Sequence, residues 1–239
     1  MVDISIYGPS IRPQHWENIY NIFTQNSVSF ELIFVGYVPP TFTLPDNFKF
    51  INTSVKAAQA VEIASRTCTG KFMMNIPDDI AYPPGMLDKY FEEYEKLENK
   101  KVMLSGVFGM DGVKFPDFTM LFDLSNPNSP QVPLCGMLET SLRRKIGSID
   151  RNFIGTYWDL DIALRFRDMG GKIYLINDLL LSEDVCKRVE ETSLSFRCGQ
   201  RDSIFLKELY GNDGLLQRTR PVEEFSSDNI LTATQGNVI

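Results

Sequence analysis

The chain has 239 residues, 43% of them apolar and 12% aromatic, which is enough to bury a full core within one domain. A formal net charge of -7 and a pI near 4.9 argue against a broad phosphate-binding surface for nucleic acid and against a polybasic membrane footprint. A single histidine, His15, and four widely spaced cysteines, Cys68, Cys135, Cys186 and Cys198, speak against a zinc site and for reduced thiols.

The opening Met1 to Tyr7 is too short and too acidic for a signal peptide, and no run approaches the roughly 20 apolar residues of a membrane span. A soluble, cytoplasmic protein is expected. Ile4 to Tyr7 reads as a strand that stops at Gly8-Pro9-Ser10, and Pro13 opens a helix with Trp16, Ile19, Tyr20 and Phe23 on one face. Phe30 to Val35 is a near-continuous apolar run, as in a parallel strand covered on both faces. A turn-rich connection, Gly36 to Pro45, leads to a short strand at Phe48 to Ile51. Thr53 or Ser54 is expected to cap a helix built on Ala57, Ala60, Val61, Ala64 and Cys68, with Gly70 ending it.

The strand Lys71 to Ile76 then delivers Asp78 and Asp79 onto a proline-closed turn. Pro84 suits the first position of a helix running to about Glu98, with Leu87, Tyr90, Phe91, Tyr94 and Leu97 on its buried face. Val102 to Phe108 is again a strand, so the first 110 residues alternate strand and helix, the signature of a mostly parallel α/β sheet. The second half is less regular. Asp111 to Pro133 reads as a loop-rich insertion, Met137 to Ile146 as short and mixed, and Trp158 to Met169 as a helix ended by Gly170-Gly171. Lys172 to Ile176 and Leu179 to Leu181 read as short strands, and Ser203 to Tyr210 as a helix. From Arg218 the chain is polar and poorly patterned, and a mobile tail over 218–239 is expected.

Two carboxylates at the C-terminal end of a parallel strand sit where open α/β sheets place their ligands, and two anionic oxygens can hold a divalent cation. The same pair can equally do no more than solvate a turn or serve a helix start.

The order of these features resembles the GT-A-fold glycosyltransferases, above all the family 2-like branch that uses nucleotide-diphosphate sugars. The likeness covers about residues 3 to 185. Gly8-Pro9-Ser10-Ile11-Arg12 after the first strand is similar to that family's base-lining loop. Thr69 to Ile80, followed by Pro83, Pro84 and Leu87, resembles its strand, DxD and helix sequence, with Ile76 at the position of the first Asp. Leu138 to Asp150 resembles the acceptor-side segment of basic residues. Tyr157-Trp158-Asp159-Leu160-Asp161-Ile162-Ala163-Leu164-Arg165 resembles the acidic motif that opens a helix and ends in Arg.

The resemblance implies a Rossmann-like GT-A fold with helices on both sheet faces, residues 1–110 as the nucleotide-binding half and 111–217 as an acceptor-side half. It implies Pro9, Ser10, Arg12, Tyr37 and Asp78 as nucleotide-sugar contacts. Asp78 and Asp79 become ligands of Mn2+ or Mg2+, with Glu183 or Asp184 able to substitute as a hard oxygen ligand for the family's late histidine or water taking that place, and Asp159 becomes the general base toward a hydroxyl acceptor. The chain departs from the family at three points: Ile76, the end of the second strand, which lacks a carboxylate, and the late metal-ligand position, where Leu181-Ser182-Glu183-Asp184 has no histidine. A silent nucleotide-sugar-binding module and a nucleotidyltransferase of similar architecture are the competing readings. The second is disfavoured by a first loop poor in glycine and basic residues.

Overall fold

The computed structural model describes residues 2–114, 133–183, 194–211 and 218–226. Strands β1 (Ile4–Pro9), β2 (Phe30–Gly36), β3 (Phe48–Asn52), β4 (Phe72–Asn75), β5 (Ile80–Ala81), β6 (Val102–Met110), β7 (Val113–Lys114), β8 (Leu134–Glu139) and β9 (Lys172–Glu183) form one sheet. Its order is β3-β2-β1-β4-β8-β6-β9-β5, with β7 paired to β6. Strands β1, β2, β3, β4, β6 and β9 run one way, while β5, β7 and β8 oppose them. The mostly parallel α/β sheet expected from the alternation is therefore present, with one antiparallel strand, β8, wedged between β4 and β6.

Helices α1 (Trp16–Phe23), α2 (Ala57–Thr67), α3 (Met86–Lys96), α4 (Thr140–Ile146), α5 (Trp158–Asp168) and α6 (Leu194–Tyr210) cover both faces. The period of two along each strand divides the core. Ile4, Ile6, Leu32, Phe34, Phe72 and Met74 face a cluster with Trp16 and Phe23 of α1 and Leu87 and Tyr90 of α3. Tyr7, Ile33, Val35 and Met73 face the other way, toward Ala60 and Ala64 of α2, Leu160 and Leu164 of α5 and Leu206 of α6. A sheet so covered must be largely apolar on both faces, which is why β2 is apolar from Leu32 to Val35.

Several boundaries differ from the sequence reading. Thr53 and Ser54 do not cap α2: the Thr53 amide donates to Gly36 O at 2.8 Å, so the chain stays with the strand exits and the helix opens only after Lys56. Gly70 does not end α2, which closes at Cys68. It is needed because a Cβ there would lie 2.6 Å from the Ser5 nitrogen. Pro84 precedes α3 rather than opening it, and Gly85, with φ of 73°, is the N-cap. The two late strands are one long strand, β9, with a register shift against β6 after Gly106. Helix α6 begins well before Ser203.

The proposed insertion lies largely outside the described residues, as does the tail beyond Ser226. Residues 218–226, in contrast, do not behave as a free tail. Phe225 is buried, the Arg151 amide donates to Glu223 O at 2.9 Å, and Arg66 donates to Phe225 O at 2.7 Å. No helix among the described residues is long and apolar enough to cross a membrane.

Candidate functional site

The carboxyl ends of β1, β2 and β4 are drawn together by glycine. A Cβ on Gly8 would lie 2.0 Å from Ile76 O, and one on Gly36 would lie 1.9 Å from Ser10 O. Only residues without side chains allow these backbones to approach so closely. The loop after β1 therefore lies against both neighbouring strand ends, where its Ser10 amide donates to Val35 O at 3.0 Å.

Asp78 fastens this loop. It is almost fully buried, and its Oδ2 accepts the Ser10 hydroxyl at 2.6 Å and the amides of Ile11 and Arg12 at 3.1 Å each. Its Oδ1 takes the Arg12 guanidinium, which also lies 3.3 Å from Asp79. The Ser10 hydroxyl in turn accepts the Trp16 indole N–H at 2.5 Å. Sequence reasoning brought Ser10, Arg12 and Asp78 to one site, and the structure joins all three directly.

The metal-ligand role assigned to Asp78 does not fit this arrangement. Oδ2 already receives three donors and Oδ1 a cationic one, so a divalent cation at this carboxylate would have to compete with the Arg12 guanidinium for Oδ1. Ile76, at the position of the first DxD acid, is fully buried in the α1 and α3 side of the core. Glu183 does come near, because β5 pairs Ile80 with it and so sets it across the sheet edge from the residue after Asp79. Even so, no group of three His, Cys, Asp or Glu side chains among the described residues is arranged to hold a metal ion. Pro9 ends β1 opposite Val35, and Tyr37, just past β2, is 39% exposed.

The second candidate group lies at the start of α5. The Ile154 carbonyl accepts the Ala58 amide of α2 at 3.0 Å. Because α2 begins just past the carboxyl end of β3, this bond places the segment leading into α5 on the same edge of the sheet as Asp78. Asp159 is the second residue of α5 and only partly exposed. Burial pushes its carboxyl up to about 6, although its Oδ1 accepts the Leu160 amide at 2.9 Å. Asp161 is different in kind. It is fully buried, accepts the Tyr210 hydroxyl at 2.6 Å and Arg165 at 2.9 Å, and belongs to the core.

Two contributors were not visible in the sequence. Asp202 of α6, fully buried, accepts the amides of Ile154 at 3.1 Å, Gly155 at 2.8 Å and Thr156 at 2.9 Å. Glu224 takes Arg165 at 2.8 Å. Each lies more than forty residues along the chain from the groups just named, beyond the reach of any local motif.

No family model matches the chain, and no curated protein matches it. Solved structures do. The 1–349 form of TarS from S. aureus superposes with a TM-score of 0.61 at 11% identity, over 90% of this chain and 67% of that one. Its complex with UDP gives 0.60 at 12%, and its complex with UDP-GlcNAc gives 0.59 at 13%, each over 90% of this chain and 68% of the other. The fold of this chain is of the same GT-A kind as that of TarS.

Proposed function

We propose that the chain is a glycosyltransferase that moves a sugar from a nucleotide-diphosphate donor to a hydroxyl acceptor, with inversion. The observation that carries this reading is the fold shared with TarS, and Asp159, at a helix start on the carboxyl-end side of the sheet with its affinity for protons raised toward neutrality, is the candidate base within it. The UDP and UDP-GlcNAc complexes of TarS, which shares the fold, favour a uridine nucleotide sugar as donor.

In this reading the nucleotide lies over the Pro9 to Arg12 loop, with Tyr37 offering an aromatic face to the base. Arg12, paired with both Asp78 and Asp79, shapes the floor of that loop beneath the nucleotide. Asp159 takes the proton of the acceptor hydroxyl while that oxygen forms the new bond to the anomeric carbon. The bond from that carbon to the diphosphate breaks on the opposite side, and the nucleoside diphosphate leaves with the electron pair. No step is assigned to a divalent cation.

The decisive experiment is a transfer assay with UDP- and GDP-sugars against a panel of hydroxyl acceptors, beside a thermal-shift screen of the same donors. Donor-dependent stabilisation with transfer that disappears in Asp159→Asn is expected. No stabilisation and no transfer in folded protein would sink the proposal. The buried Ile76 favours one other reading, a binding module without turnover. Its signature is donor binding without transfer, unaffected by Asp159→Asn.

A further inference from the structure

We infer that Asp202 is a positioning residue for Asp159, an inference that rests on the transferase reading above. Asp202 is fully buried on α6, and its Oδ2 accepts three successive amides, those of Ile154, Gly155 and Thr156, at 3.1, 2.8 and 2.9 Å. Its Oδ1 lies 2.9 Å from the Arg201 guanidinium, which also donates to Asn152 O at 2.8 Å. Consecutive amides converging on one carboxylate form a rigid anion nest, so the loop has a single low-energy path.

That path leads directly to the candidate base. Tyr157, the next residue, is held at φ of 61°, a left-handed conformation that a bulky aromatic adopts only where its surroundings demand it. Trp158 and Asp159 follow as the first turn of α5, closed by the Asp161 amide donating to Tyr157 O at 3.1 Å. The loop is held from its other side by Ala58 of α2. Asp202 thus fixes the backbone three to five residues before Asp159 without touching the acceptor. Its charge is satisfied by backbone amides and Arg201, so it has no proton-transfer task of its own.

The test is a kinetic cycle with a nucleotide-sugar donor and a hydroxyl acceptor, using Asp202→Asn and Asp202→Ala alone and combined with Asp159→Asn. Displacing the base by about an ångström is expected to lower kcat about 100-fold in Asp202→Ala while leaving the donor KM within roughly a factor of two. Asp202→Asn, whose amide oxygen still accepts part of the nest, should lose less. Because both residues act on one carboxylate, adding either change to Asp159→Asn should lower the residual rate little further, whereas a general loss of folded protein would multiply through. Amide exchange at residues 154–156 should quicken in both Asp202 variants, independent of activity. If the alanine variant does not fold, the near-isosteric asparagine variant carries the same test. Full kcat in both Asp202 variants beside an inactive Asp159→Asn overturns the positioning role and leaves the transferase reading standing. Equal transfer in Asp159→Asn and the parent chain, or none in either, overturns that reading and the positioning role with it.

Discussion

The Ser10 hydroxyl donates to Asp78 at 2.6 Å while accepting the Trp16 indole N–H, so the first loop, the acidic turn and the α1 core meet at one buried oxygen. This makes Asp78 a fastener first. Asp78→Ala leaves the Ser10 hydroxyl, two amides and the Arg12 guanidinium without their acceptor, and breaking a buried ion pair in this way costs about 3–5 kcal/mol. Urea unfolding without nucleotide or metal should show that loss. An unchanged midpoint would mean that the carboxylate is not holding the loop.

Asp159 carries opposite consequences for activity and stability. With its carboxyl pushed up to about 6, the deprotonated base is depleted below that pH, so kcat/KM should fall tenfold per unit on the acid side. The stability sign follows from the same shift. A folded value above the unfolded value of about 3.9 means that ionisation is disfavoured in the folded chain, a penalty absent below both values and fully present above about pH 6. Asp159→Asn should therefore abolish transfer yet stabilise the protein by about 1–2 kcal/mol at pH 7.5, less than the full shift because the carboxyl keeps some contact with water. Thermal unfolding at pH 3, where the gain should vanish, is the control.

The strand-helix alternation was legible because the central strands β1, β2 and β4 are mostly apolar on both faces and each helix carries its own apolar stripe. Ser10, Arg12 and Asp78 could be grouped from a family resemblance, but not their mutual bonding. A carboxylate that receives a loop and one that receives a cation have the same residue type at the same position. Only the Gly8 and Gly36 close approaches, which bring the loop onto Asp78, separate the two. The late segments misled for another reason: Glu224 and Phe225 sit in a polar stretch without periodicity, and their partners Arg165 and Arg66 are supplied by distant helices.

Gly36→Ala tests the close approach at the site. Its Cβ would lie 1.9 Å from the Ser10 carbonyl oxygen, a backbone atom that cannot swing aside, so the first loop must move. The expected cost is upwards of about 2 kcal/mol, with weakened nucleotide-sugar binding measured by titration calorimetry. Gly85→Ala serves as comparison, since a Cβ there has no neighbour within 4 Å and only the left-handed backbone opposes it. It should leave donor affinity unaltered.

At the opposite end of the strands, Glu31 predicts the acid limit of the fold. Burial works against its ionisation, but the Lys49 ammonium at 2.7 Å, the Ser5 and Thr69 hydroxyls and the Thr69 amide outweigh that and draw the carboxyl down to about 2. A depressed folded value contributes stability above the unfolded value of about 4.3, and that stability is lost as the pH falls toward 2. The contribution at neutral pH is at most about 3 kcal/mol. Glu31→Gln should flatten the stability profile between pH 4.5 and roughly 2, measured by urea unfolding at stepped pH.

The segment 218–226 should prove integral to the fold. Phe225 fills a buried position beside α2 and α5, and Glu224 lies against the Gly147 turn while pairing with Arg165. Arg165 is itself buried and donates to the carbonyls of Ile146 and Ser148, so it ties the segment, α5 and the turn after α4 into one unit. Phe225→Ala should cost about 3–5 kcal/mol by opening a cavity, and Glu224→Gln less, since the glutamine oxygen can still accept from Arg165. Ending the chain at residue 217 should remove both contributions and lower the melting temperature by more than either substitution. A truncated chain that melts with the parent would show that the segment contributes nothing to stability, and that Arg165 is held by Asp161 and the turn carbonyls alone.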